Sequence, residues 1–194
     1  TGTITEGRLQ LAHRFAASGV GEARLLFIAA AASRRESGDP MDFAILDAAA
    51  APSGISAVAS FPFTEDRKRE TGIIREADSL IAAAKGAPEI IFGLCALDAA
   101  DTQAWREHVE QLAGSGHKVF ACAWRNLDAA DWPGGEPDRG YRFAGLLAFE
   151  DPIRAEVPDA LRICRRARIH VIMVTGDHPA TAAAVAKEIG LGGG

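Results

Sequence analysis

The sequence predicts a mixed architecture: an α+β module with an antiparallel sheet, inserted in a smaller α/β unit formed by the two ends of the chain. Residues 55–60, 71–75 and 79–84 form short strand-like segments broken by turns, which is typical of an antiparallel sheet. Residues 169–174 are apolar and rich in β-branched side chains, and an alanine-rich helical pattern follows them, as in a parallel α/β unit. The character of the sequence changes near residues 145–150.

The remaining elements follow from apolar periodicity and from start and stop residues. Asp39 is predicted to cap the second helix, and Asp101 is predicted to cap the fourth. Further strands are predicted at residues 118–124 and 141–149. The predicted helices cover residues 22–33, 40–50, 88–96, 101–112, 154–167 and 177–189.

Composition excludes several functional classes. The net charge of −5 and the absence of a basic tract argue against nucleic acid as a partner. Three cysteines and five histidines show no spacing typical of a metal site or a disulfide framework. The sequence contains no apolar run long enough to span a membrane and no signal peptide, so we expect a soluble chain.

Thr175, Gly176 and Asp177 lie where the predicted strand 169–174 meets the last helix. A polar corner at a helix N-terminus is where α/β sheets place phosphate or metal chemistry. The same residues fit an ordinary strand-to-helix turn in which Asp177 is a cap. The local pattern does not choose between these two interpretations.

A second group of residues fits a nucleotide site. The sequence has no Gly-x4-Gly-Lys-Ser/Thr motif, so a P-loop is excluded, and a base needs an aromatic surface instead. Phe63 can stack on a base, an interaction of about 1–3 kcal/mol, although the residues alone favour a core position. Lys68 fits either a phosphate contact or a solvated turn. Lys85 ends an apolar run and is expected to line a pocket, with Gly86 allowing a ligand to approach the backbone.

Several segments, in order along the chain, resemble motifs of the P-type cation-transporting ATPases. The Phe-Pro-Phe and Asp-His-Pro segments look most similar to the calcium-pump-like branch of that family. The segments are residues 1–5 (Thr-Gly-Thr-Ile-Thr), 38–42 (Gly-Asp-Pro-Met-Asp), 61–63 (Phe-Pro-Phe) with 67–68 (Arg-Lys), 85–89 (Lys-Gly-Ala-Pro-Glu), 151–154 (Asp-Pro-Ile-Arg) and 173–179 (Met-Val-Thr-Gly-Asp-His-Pro).

The resemblance implies a division into domains. Residues 8–147 would be the nucleotide-binding domain, an antiparallel sheet flanked by helices. Residues 1–7 and 148–194 would be parts of a haloacid-dehalogenase-like phosphorylation domain. The whole protein would use ATP and Mg²⁺ to form an aspartyl-phosphate and would couple it to cation transport. This chain would then lie on the cytoplasmic side of a membrane, with the phosphorylation, actuator and transmembrane domains of the same protein as its partners.

The resemblance also implies roles for single residues. Asp42 would accept a hydrogen bond from the adenine amine, and Lys118 would replace an arginine of the family, with a weaker phosphate contact. Thr1 would offer a backbone carbonyl to Mg²⁺. The expected catalytic residues are Thr3, Thr175, Gly176 and Asp177. The expected nucleotide-binding residues are Asp42, Phe63, Lys68, Lys85, Gly86, Lys118, Asp151 and Arg154, the last two as a hinge-side pair.

In the family motif the phosphorylated aspartate lies two positions before the residue that corresponds to Thr1. We therefore expect this chain alone to bind adenine nucleotide without forming the acyl-phosphate. A stand-alone nucleotide-binding regulatory module is the alternative. A haloacid-dehalogenase-type phosphatase is disfavoured, because it also needs that aspartate.

Overall fold

A computed structural model describes residues 2–49, 55–76, 79–128, 132–175 and 179–191. Its centre is a 6-stranded sheet in the order β1-β6-β5-β4-β3-β2, in which every neighbouring pair is antiparallel. The strands are β1 (Gln10–Ala16), β2 (Ile55–Phe61), β3 (Arg69–Glu76), β4 (Ser79–Gly86), β5 (Lys118–Leu127) and β6 (Arg142–Glu150).

Helices α1 (Glu22–Ala31) and α2 (Pro40–Ala48) cover one face of this sheet, and α3 (Pro88–Leu94) and α4 (Ala99–Gly114) cover the other. A short 3-10 helix lies at Arg35–Ser37. Helices α5 (Val157–Arg166) and α6 (Pro179–Glu188) follow the sheet, and α6 packs against α4. In the described part of the chain, no helix combines the length and apolar character that a membrane span requires.

The core forms two layers, one on each side of the sheet. On one face Leu25 and Ile28 of α1 and Ile45 of α2 pack against Leu147 and Phe149 of β6. On the other face the core includes residues of α3 and α4 together with alternate residues of β3 to β6. Burial of each large side chain contributes about 1.5–3 kcal/mol, so these layers fix which face each strand residue occupies.

The antiparallel α+β module is confirmed. Asp39 caps α2 as predicted, because its Oδ1 accepts a hydrogen bond from the Met41 amide at 2.8 Å. The predicted cap of α4 is wrong: the helix begins at Ala99, and Asp98 is the cap, accepting from the Asp101 amide at 2.7 Å. The sequence analysis also missed β1, an edge strand whose side chains are all partly or fully exposed.

The predicted buried strand at residues 169–174 is wrong. These residues form no strand, and Ile172 and Val174 are 78% and 92% exposed. A strand needs at least one neighbouring strand to receive its hydrogen bonds, and the strands among the described residues all belong to the antiparallel sheet. Helices α5 and α6, which flank this segment, agree with the prediction.

Gly72 on β3 makes the close packing of α1 testable. A Cβ at this position would lie 2.0 Å from the carbonyl oxygen of Ala31, at the end of α1. We expect Gly72→Ala to lower the free energy of unfolding by about 1–3 kcal/mol, because strand and helix must move apart. Gly93→Ala is the control, since no atom lies within 4 Å of its Cβ position, and it should change stability by less than about 1 kcal/mol. Equal urea midpoints for the two variants would contradict the packing.

Candidate functional site

The predicted nucleotide-binding residues lie at one end of the sheet. β4 ends at Gly86, which pairs with Arg69 at the start of β3 and with Ala121 near the start of β5. Lys118 begins β5 and pairs with Phe149 near the end of β6. The β2–β3 turn, the end of β4, Lys118 and the residues after β6 therefore share this end, which we call the site end.

Lys85 is buried there in a network of charges. Its side chain is 3% exposed, and its Nζ donates to Glu70 Oε2 at 2.9 Å. The same Nζ lies 2.6 Å from Asp42 Oδ1, an ion-pair contact without hydrogen-bond alignment. Glu70 and Lys85 are directly opposed on β3 and β4. This register places a carboxylate beside the ammonium, which a buried charge requires.

A second cation balances the two carboxylates. Arg34 Nε donates to Glu70 Oε1 at 2.7 Å, and this hydrogen bond raises the pKa of the guanidinium above its ordinary value. The Arg34 amide donates to Asp42 Oδ2 at 3.2 Å, and the Ser37 hydroxyl donates to the same oxygen at 2.6 Å. The buried network therefore consists of two carboxylates and two cations, and it joins α2 to β3 and β4.

Asp42 has a defined structural role in this network. Its side chain is 0% exposed, and both carboxylate oxygens have partners within the protein. Its expected contact with the adenine amine stays a prediction.

Phe63 lies in the β2–β3 turn and is 46% exposed, so it is not a core residue. Arg67 braces the turn: its Nε donates to the Thr64 hydroxyl at 3.1 Å, and its Nη2 donates to the Pro62 carbonyl. Lys68 is exposed, and its φ of 48° is in the left-handed region. The turn therefore presents an aromatic ring and an ammonium group to solvent.

The structure gives Gly86 a role within the protein, at the position where a Cβ would project, and its expected role in ligand approach stays a prediction. That position lies 2.4 Å from the Lys68 carbonyl oxygen and 2.7 Å from the Arg69 Cα. The Lys68 carbonyl also accepts a hydrogen bond from the Ala87 amide at 3.0 Å. Glycine is needed here because the protein's own backbone approaches, and this contact joins the β2–β3 turn to the end of β4.

Glu136, in the connection between β5 and β6, also holds this turn. Its Oε1 accepts from Arg69 Nε at 3.0 Å and from the Thr71 hydroxyl at 2.7 Å, and its Oε2 accepts from Arg67 Nη1 at 2.5 Å. Burial raises the pKa of Glu136, but the hydrogen bonds from Arg69, Thr71 and Arg67 outweigh it, and the pKa is lowered. The carboxylate is therefore the form that the fold stabilises.

A cavity of about 700 Å³ brings together four predicted residues: Thr3, Lys118, Asp151 and Thr175. Cys122 on β5 is the strand partner of Lys85 on β4. Lys118 lies four residues before Cys122 on β5, which is a distance of about 13 Å. The structure therefore separates Lys118 from the buried network and places it with the two threonines expected to be catalytic.

Asp151 and Arg154 hold the first residues of the chain against the end of β6. Asp151 Oδ2 accepts from the Thr5 hydroxyl at 2.6 Å, and Oδ1 accepts from the Gly7 amide at 2.9 Å. Arg154 Nη2 donates to the Gly2 carbonyl at 3.1 Å. These contacts join the first residues of the chain to the segment after β6, and the expected hinge-side role of the pair stays a prediction.

Three predicted site residues, Thr1, Gly176 and Asp177, lie outside the described residues. Within the described ranges, no group of three His, Cys, Asp or Glu side chains could hold a metal ion. The expected role of Thr1 toward Mg²⁺ stays a prediction.

Comparison with known proteins identifies the family to which this arrangement belongs. Residues 28–156 match the family described as "P-type ATPase, cytoplasmic domain N". The chain belongs to this P-type ATPase domain N family. The matched residues include the buried network, the β2–β3 turn and Lys118.

Two similar proteins are alpha subunits of sodium/potassium-transporting ATPases. The alpha-2 subunit of the sodium/potassium-transporting ATPase of Bos taurus is 37% identical over 156 residues, covering 69% of this chain. The alpha-B subunit of Artemia franciscana is 30% identical and covers 98% of this chain. The chain spans 15% and 26% of the length of these two proteins. The expected calcium-pump-like branch is therefore wrong, since these relatives are named for sodium and potassium.

Sequence reasoning missed Glu70, Arg34 and Glu136. Glu70 could have been found only from the register that opposes it to Lys85. Glu136 lies in a Gly- and Pro-rich connection, where the sequence gives no sign of a partner in β3, 65 residues away at Thr71.

Removal of the Lys85 ammonium tests the buried network. Lys85→Met leaves two buried carboxylates with one cation, and we expect it to lower the free energy of unfolding by about 3–5 kcal/mol. Lys187→Met, on the exposed surface of α6, is the control and should change it by less than about 0.5 kcal/mol. Urea unfolding measures both values, and a small loss for Lys85→Met would contradict the network.

The Glu136 contacts predict a pH dependence. A carboxyl whose folded-state pKa is lowered stabilises the protein above its unfolded pKa, and this contribution is lost as the pH falls through the folded pKa. The difference in unfolding free energy between the wild type and Glu136→Gln should thus have its largest value at pH 7. It should shrink as the pH falls below 4.5, the ordinary pKa of the carboxyl group. A difference that is independent of pH would show that the charge is irrelevant.

Proposed function

We propose that this chain binds ATP across the site end of its sheet and serves a P-type ATPase that transports a cation through an aspartyl-phosphate intermediate. Family membership supports the general class of activity. The observation that carries the binding proposal is the exposed ring of Phe63, 46% exposed in a turn braced on both sides. An aromatic ring is suited to stack on a base when hydrogen bonds hold its turn in a conformation that leaves the ring exposed.

The order of residues along the site end supports a direction for the nucleotide. Phe63 and Lys68 lie at the β2–β3 edge, and Asp151 follows β6, three to four strands away, or about 14–19 Å. Lys118 lies between them on β5. With the base on Phe63, the triphosphate would extend across the end of the sheet toward Lys118 and the cavity with Thr3 and Thr175.

Lys85 would act on the nucleotide through the electrostatic field of its ammonium group and through the residues around it. Its Nζ lies 5.7 Å from the centroid of the Phe120 ring, on the same face of β5 as Lys118. The paired ammonium is held by Asp42 and Glu70, so direct contact with a phosphate would require it to leave one of them. Direct phosphate contact is therefore proposed for Lys68 and Lys118.

The segment after β6 is proposed to belong to a haloacid-dehalogenase-like phosphorylation domain, with Thr175, Gly176 and Asp177 at its phosphoryl-transfer corner. Thr3 and Thr175 line one cavity, which supports their acting on the same group. Hydroxyl and backbone N–H donors fixed around a transferring phosphoryl group stabilise its transition state. The aspartate that accepts the phosphoryl group, Mg²⁺ and the transported cation are proposed by family analogy alone.

The test is ATP titration by calorimetry with a matched pair of variants. Phe63→Ala should weaken ATP binding on the order of tenfold, because the base loses its stacking surface. Phe43→Ala is the control: Phe43 is similarly exposed, at 37%, but lies on α2 beside a different cavity. It should leave the affinity unchanged. ATP binding that is equally strong in both variants would refute the proposed site.

A further inference from the structure

Glu136 joins two parts of domain N that are far apart in sequence. It belongs to the connection between β5 and β6, yet all of its hydrogen bonds go to Arg67, Arg69 and Thr71, in and after the β2–β3 turn. Its side chain is 11% exposed, so water competes little for these hydrogen bonds. We call Glu136 and these three partners the turn clamp.

The turn clamp acts directly on the residues that flank Phe63. Arg67 donates to Glu136 through Nη1, and its remaining donors go to the Pro62 carbonyl and the Thr64 hydroxyl. A guanidinium is planar and rigid, so fixing one of its nitrogens fixes the direction of the others. Glu136 thereby sets the position of both neighbours of Phe63 without touching its ring.

Residues 132–141, which carry Glu136, are held by several hydrogen bonds. Trp132 Nε1 donates to the Gly135 carbonyl at 2.8 Å, and the Tyr141 hydroxyl donates to the Pro137 carbonyl at 3.3 Å. Arg125 Nη1, from β5, donates to the Arg139 carbonyl at 2.6 Å. The carboxylate therefore has a rigid support and can define the geometry of the turn.

We propose that Glu136 is a positioning residue for nucleotide binding, which holds the Phe63 turn in the conformation that stacks on the base. This inference rests on the proposed function. Stacking depends on the angle and distance of the ring, and the ordered turn avoids the entropic cost of fixing it upon binding. Of the two proposed phosphate contacts, Lys118 lies on β5, away from the clamp, whereas Lys68 lies between Arg67 and Arg69 and reaches a phosphate through a long, flexible side chain. Glu136 should therefore affect binding of the base much more than binding of the phosphates.

The experiment compares ATP with inorganic tripolyphosphate, which lacks a base. Glu136→Ala should weaken ATP binding on the order of tenfold and weaken tripolyphosphate binding by a much smaller factor. Glu136→Gln keeps the size of the side chain and should fall between the alanine variant and the wild type. Glu76→Ala is the control, because Glu76 lies at the opposite end of β3, paired with Arg24 at 2.8 Å, and its loss removes the same charge. It should change neither affinity.

A double-mutant cycle distinguishes positioning from a general loss of stability. In a Phe63→Ala background, Glu136→Ala should cause a much smaller loss of ATP affinity than it causes in the wild type. Amide exchange at Lys68, whose N–H donates to the Thr64 carbonyl at 2.7 Å, should accelerate in Glu136→Ala while the amides of β4 stay protected. Equal weakening of both ligands, or additive losses in the cycle, would overturn the inference. If Phe63→Ala weakens ATP binding and Glu136→Ala does not, the inference fails and the proposed function stands.

Discussion

The buried charge of Lys85 constrains the whole site end of the sheet. A buried ammonium costs several kcal/mol unless carboxylates compensate it. Glu70 supplies one from the opposing strand, and Asp42 supplies the other from α2. Arg34 then balances the second negative charge. Helix α2 and strands β3 and β4 are thus held in one arrangement by electrostatics as well as by the apolar layer around Ile45 and Leu147.

The same strands carry the exposed chemistry. The start of β3 continues directly from the Phe63 turn, and the end of β4 accepts that turn at Gly86, where the Lys68 backbone approaches too closely for any Cβ. Rigid strands fixed by a buried network therefore place an exposed aromatic ring and lysine at a defined point. The buried network and the β2–β3 turn thus depend on the same strands. The network is shielded from solvent, and the turn is accessible to a ligand.

The sequence predicted the antiparallel sheet, its flanking helices and the family, because strand periodicity, caps and short motifs are local signals. It also predicted Phe63, Lys85 and Lys118 as site residues, but not which of them are buried in ion pairs and which are exposed to a ligand. Whether Lys85 meets a ligand or Asp42 depends on the register of β4 against β3, which no local pattern specifies. The prediction of a strand at residues 169–174 was wrong for a similar reason, since an apolar run becomes a strand only where neighbouring strands form hydrogen bonds with it.

The central claim is that a nucleotide lies across the site end with its base on Phe63. A crystal structure of the chain with bound ATP tests it most directly. The account predicts the adenine ring against the Phe63 side chain and the triphosphate directed along the sheet end toward Lys118 and Thr3, with the Lys85, Asp42 and Glu70 contacts retained. A base bound elsewhere, for instance beside Arg35 and Phe43 at the cavity between α2 and β1, would contradict it.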